Sequence, residues 1–71
     1  MYRAEIYYTM GFGLDRGMLV ANSYAEINAK VNSWVEKNIG RIVKVLGMDA
    51  KVCVEKIVFN YPSGKKFTKT F

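Results

Sequence analysis

Histidine is absent from this chain, and cysteine and proline each occur once. Without histidine the chain lacks the commonest general base near neutral pH and the commonest metal ligand. A lone cysteine cannot close an internal disulfide, and with no histidine to join it, it cannot build a zinc site. Cys53 stands among valines in a predicted strand, which reads as a buried structural thiol rather than a nucleophile. The six carboxylates are scattered, with no pair at a spacing suited to acid–base work. No catalytic residue, metal or cofactor is therefore expected, and the chain is read as a non-enzyme. Long apolar runs are missing too. No stretch approaches the ~18 residues of a membrane span, and no signal-peptide pattern opens the chain. A membrane partner is accordingly not expected, and the unpaired thiol suits a cytoplasmic protein.

Apolar residues are nonetheless plentiful, at 51% of 71 residues with 14% aromatic, which excludes a disordered polar chain. That length supports one domain, residues 1–71, with a single core. The net charge of +5 is unevenly spread. Residues 1–36 carry three cations against four carboxylates, and residues 37–71 carry eight against two. A basic half of this kind fits an anionic partner, either nucleic acid or an acidic protein face.

Period-two alternation predicts a strand over residues 2–10, with Tyr2, Ala4, Ile6, Tyr8 and Met10 on one face. The segment Gly11 to Gly17, GFGLDRG, reads as a hairpin loop, followed by a short strand from Met18 to Ala21. From Ser23 to Gly47 the spacing predicts one long amphipathic helix. Tyr24, Ile27, Val31, Trp34, Val35, Ile39, Ile42, Val43, Val45 and Leu46 fall on one half of its wheel. Ser23 and Glu26 form a candidate capping box, and Gly47 suits the residue past the helix end. In the rival reading, the β-branched run and Gly40 stop the helix near Asn38, and residues 41–46 form an extra strand. Val52 to Tyr61 predicts a further strand. Its apolar parity changes between Val54 and Ile57, so a β-bulge is expected near Glu55-Lys56. Tyr61-Pro62-Ser63-Gly64 is a turn, and Lys66 to Phe71 a last strand with Phe67 and Phe71 on one face.

The expected fold is α+β, a two-layer ββαββ domain with one long helix packed on a four-stranded, largely antiparallel sheet. In element order alone the chain resembles the β-grasp-type immunoglobulin-binding domains, and that likeness implies no function.

Binding rather than chemistry is then the expected role. The leading reading is an adaptor or inhibitor that docks on a larger protein, of the kind encoded by phages and mobile elements. Its contact tip would be the glycine-flanked loop, through Phe12, Leu14 and Arg16, because apolar side chains at an exposed tip favour a partner. Two alternatives stand beside it. One is a nucleic-acid-binding domain using a basic surface of Lys37, Arg41, Lys44, Lys65, Lys66 and Lys69, with Tyr7 as a sheet-face aromatic. The other is an obligate homo-oligomer paired through an exposed strand edge.

Overall fold

In a computed structural model, which describes residues 1–11 and 13–70, the chain is α+β with one helix and a curled antiparallel sheet. The elements run β1 (Tyr2–Met10), β2 (Gly13–Ala21), α1 (Tyr24–Asn38), β3 (Ile42–Val45), β4 (Met48–Asn60) and β5 (Lys66–Thr70). The sheet order is β2-β1-β4-β3, and β5 also pairs with β4. Thus β4 is the spine. Its first residues pair with β3, from Ile42 opposite Lys51 to Val45 opposite Met48. Its last residues pair with β5, from Lys56 opposite Thr70 to Asn60 opposite Lys66.

The single long helix is corrected by this arrangement. The helix ends at Asn38, and residues 42–45 form β3, as in the rival reading. At its start Ser23 is extended, with φ −145°, and its hydroxyl accepts from the Glu26 amide at 3.1 Å. That is the forward half of a capping box. The Glu26 carboxylate itself lies 3.5 Å from Lys30 Nζ, one turn further on. At the other end the Asn38 side-chain amide donates to the Trp34 carbonyl at 2.8 Å, and the Ile39 amide makes the last helical bond, to the Val35 carbonyl. Gly40 then takes φ +74° and turns the backbone towards β4, where its amide donates to the Val52 carbonyl. The helix has already ended at Ile39, whose ψ of 128° is extended, and the positive φ that glycine adopts cheaply completes the change of direction.

A helix of 15 residues is about 22 Å long and covers only part of the sheet. Its main contacts are with β1 and β2. Ile27 and Val31 are buried, Trp34 and Val35 pack partly buried against the same core, and Tyr24 and Ile39 are exposed rather than buried. The core joins Ala4 and Ile6 of β1, Ala21 of β2, and Val54, Ile57 and Phe59 of β4.

The bulge lies where the parity changes. Tyr7 is opposite Lys56 and Tyr8 opposite Val54, which leaves Glu55 as the extra residue. It allows Val52, Val54, Ile57 and Phe59 all to face inward, and it adds local twist to the curl. Cys53 consequently faces outward between two buried valines and is exposed, which corrects its expected burial. The turn after β4 forms as its residues suggest. Gly64 has φ +88°, and its amide donates to the Tyr61 carbonyl at 2.9 Å.

Candidate contact surface

The expected Gly11–Gly17 loop is corrected next, because most of it is strand. Met10 pairs with Gly13, so positions 11 and 12 alone connect β1 to β2. Phe12 lies outside the described residues, as does Phe71. Leu14 and Arg16 belong to β2, opposite Thr9 and Tyr7, and not to a loop tip. Gly17 is in the ladder opposite Ile6, where a Cβ would stand 3.8 Å from the Tyr8 ring and 3.9 Å from Trp34 Nε1. Trp34 stacks beside Tyr8, with centroids 5.1 Å apart, and so fixes the helix over this hairpin.

Because Ala4, Ile6 and Tyr8 turn inward, their partners Leu19, Gly17 and Asp15 share the inner face. The outer face of β2 therefore carries Leu14, Arg16, Met18 and Val20. Leu14 is 63% exposed, Met18 50% and Val20 42%, which is a row of apolar side chains along the sheet's outermost strand. The backbone of these residues also points away from β1. The Val20 carbonyl accepts from Lys30 Nζ at 2.8 Å, so it is turned outward, and residues of the same parity in an antiparallel ladder turn with it. Among the described residues no strand pairs with this side of β2 at Leu14, Arg16 or Met18. Met18 and Val20 escaped sequence reasoning. No alternation in LDRGMLVA separates its outer from its inner residues, since Met18 to Ala21 are all apolar, and only the pairing with β1 assigns Met18 and Val20 to the outer face.

Arg16 reaches a carboxylate of its own sheet while staying half exposed. Its guanidinium lies 4.0 Å from Glu5 Oε2, and the same oxygen accepts from the Tyr7 hydroxyl at 2.9 Å. Lys56 Nζ sits 4.9 Å from the centroid of the Tyr7 ring. Tyr7 is indeed on the outer face, held by a carboxylate at one end and covered by a cation on one side.

The six expected basic residues fall into separate groups. Lys37 is in the last helical turn, Arg41 leads into β3, and Lys44 on β3 pairs with Asp49 across the ladder. Lys65 and Lys66 stand at the start of β5, by Asn60. Between Lys51, opposite Ile42, and Asn60 lie nine steps of β4, roughly 30 Å at 3.3 Å per residue. Lys69 lies elsewhere again. It borders a groove of about 360 Å³ between α1 and β5, floored by Val31, Val35, Ile57 and Phe59.

At the mouth of this groove, Tyr24 and Tyr2 flank Tyr61 with centroids 5.9 Å and 5.8 Å away. Loss of hydration, and then the neighbouring Tyr24 phenol, push the Tyr61 phenol above its ordinary value of 10.0. Among the described residues no three thiols or carboxylates gather where a metal ion could be held. No described helix is long and apolar enough to cross a membrane. Compared with protein-family models, curated proteins and solved structures, the chain matches none.

Proposed function

We propose that this chain is a non-enzymatic binding module that docks on a larger protein, as an adaptor or inhibitor, through the outer edge of β2. The observation that carries the reading is the pairing of two unmet needs on one strand. Leu14, Met18 and Val20 present exposed apolar surface, and the backbone of Leu14, Arg16 and Met18 presents unpaired donors and acceptors beside it. An incoming extended segment satisfies both at once. Main-chain hydrogen bonds supply affinity, and the alternate side chains supply specificity.

The nucleic-acid reading draws less support. Its cations are divided between two ends of β4, and the one sheet-face tyrosine is engaged by Glu5 and Lys56.

The test uses the double variant Leu14→Glu with Met18→Lys, whose side chains face solvent and leave the β1–β2 ladder intact. Tagged wild type and variant are compared for capture from lysate of the source cell, with and without nuclease. The captured protein is then purified and titrated against both. The expected result is nuclease-insensitive capture and a binding constant weakened at least tenfold, about 1.4 kcal/mol, in the variant. Equal affinity for both would remove β2 as the docking edge. Capture abolished by nuclease would replace the protein partner with nucleic acid. Concentration-dependent dimerisation of the wild type, lost in the variant, would assign the edge to a second copy.

A further inference from the structure

The ribbon made by β3 and the start of β4 ends in an unusual turn. Val45 pairs with Met48, so Leu46 and Gly47 alone close it. Their φ values are +52° and +80°, the double positive of a type I′ turn. The first position of such a turn belongs by preference to Asn, Asp or Gly, because an L side chain there crowds its own backbone. Here it holds a leucine that is 88% exposed, the highest exposure among the described large apolar residues. A backbone-disfavoured residue that is also fully wetted gains nothing from the fold, which points to a use outside it.

Three features surround Leu46. The ribbon projects, since β1 ends opposite Val52 and the helix ends before Gly40. The molecule is 43 Å long and 18 Å wide, and β4 alone accounts for most of that length at ~3.3 Å per residue, so its first residues lie at one end. Apolar side chains leave the ribbon on both faces, with Met48 54% and Ile42 58% exposed. Cations begin just behind the tip, at Lys44, Arg41 and Lys51, against the single carboxylate of Asp49, which Lys44 already holds.

We propose that this hairpin end inserts into the interfacial layer of an anionic bilayer, with Leu46 and Met48 at the acyl boundary, the Lys44–Asp49 pair just above it, and Arg41 and Lys51 among the phosphates. The dimensions agree. Lys44 lies two residues behind Leu46, about 7 Å, and interfacial elements bury their apolar faces ~5–10 Å deep. Leu46 at the turn and Met48 on the inner face suit a medium that closes around the end of the ribbon, and the Lys44–Asp49 pair on the outer face stops that medium at headgroup level. The sign of the charge also fits, since basic residues at a surface are drawn to anionic leaflets and an uncharged one offers them nothing. This surface is distinct from the β2 edge and does not depend on it. The lack of a membrane-spanning helix bears only on crossing the bilayer, not on resting against it.

The test is flotation of the whole chain with vesicles of phosphatidylcholine alone and of phosphatidylcholine mixed with phosphatidylserine. Binding is expected to the mixed vesicles and to weaken with salt. Leu46→Asn suits the positive φ, so this variant folds, and it is expected to lose at least tenfold in partitioning. Lys51→Glu should lose affinity for the mixed vesicles only. No flotation with either vesicle overturns the proposal. Binding that survives Leu46→Asn shows adsorption by charge without insertion and overturns it as well. Capture of a protein that depends on Leu46, with no vesicle binding, assigns the tip to a protein socket instead.

Discussion

Deleting Glu55 should leave the fold standing, while deleting Val58, three residues on, should destroy it. Glu55 is the residue that β4 carries in excess of β1, since Tyr8 faces Val54 and Tyr7 faces Lys56. With Glu55 removed, Val54 and Lys56 become neighbours and alternate as a regular strand does. Val54 stays inside, Lys56 outside and Ile57 inside, and every pairing with β1 persists. The variant loses the local twist of the bulge, at a cost of about 1 kcal/mol, near the centre of the range for single changes. In a domain of this size that lowers the midpoint by roughly 4–8 °C. Removing Val58 inverts the parity beyond it. Phe59, 5% exposed in the fold, is carried to the solvent face at ~1.5–3 kcal/mol. Asn60 is carried inward, and an unpaired buried amide costs another ~1–3 kcal/mol. The sum, ~2.5–6 kcal/mol, is a large share of what a small domain has. Urea unfolding followed by circular dichroism checks this, with both deletions measured beside the parent. Equal destabilisation by the two, or a larger loss on removing Glu55, would refute the parity reasoning.

Three further outcomes are expected. Leu46→Asn should raise stability by about 0.5–1 kcal/mol, since the left-handed region costs an ordinary L-residue ~1–2 kcal/mol and asparagine recovers part of it; an unchanged or lower melting temperature would show that the turn is not strained. Ile27→Ala, at a fully buried position where the helix meets the sheet, should cost ~2–5 kcal/mol in denaturant melts, and a loss below 1 kcal/mol would mean that α1 is not anchored there. A phenol with a raised folded-state pKa keeps its proton where the unfolded chain has begun to lose its own, so the contribution of Tyr61 is intact below pH 10.0 and is lost as pH rises from there through the folded value. Tyr61→Phe should therefore flatten part of the alkaline fall in stability, and parallel alkaline melts of the two proteins would exclude that linkage.

What the residues made legible was local, and what they concealed depended on a distant partner. The span of β1 follows from alternation over nine residues, and the bulge from a parity change within a single strand. Residues 41–46 were harder. Ile42, Val43, Val45 and Leu46 with Arg41 and Lys44 fit a helical wheel well, and six residues are too few to separate a period of 3.6 from a period of 2. The pairing decides it, because Ile42–Val45 meets Met48–Lys51 through a two-residue turn that a helix could not provide. The same dependence on partners exposes Tyr24, which sits on the apolar side of the helix but past the area that β1 and β2 cover. In the candidate site, Leu14 and Arg16, expected at a loop tip, lie in the β2 ladder instead. Glycine composition signals freedom, yet Gly13 and Gly17 lie in regular pairs with Met10 and Ile6.

The charges on β2 favour a foreign strand over a second copy. An antiparallel self-pairing must match outward-facing residues about a two-fold axis, and the registers that use the Arg16–Val20 half of the strand meet an obstacle. Centred on Arg16, it sets two guanidinium groups directly opposite each other, which is destabilising. Centred on Gly17 or Met18, it needs the Val20 carbonyl, which Lys30 already occupies at 2.8 Å. A short strand from another protein avoids both obstacles. It can pair from Leu14 to Met18 without reaching Val20, and it can bring a carboxylate opposite Arg16, which already lies near one in Glu5. Lysine and arginine at a sheet edge are common guards against self-association. At this edge Arg16 and Lys30 oppose like-with-like pairing in those registers, in keeping with the foreign strand proposed as the partner.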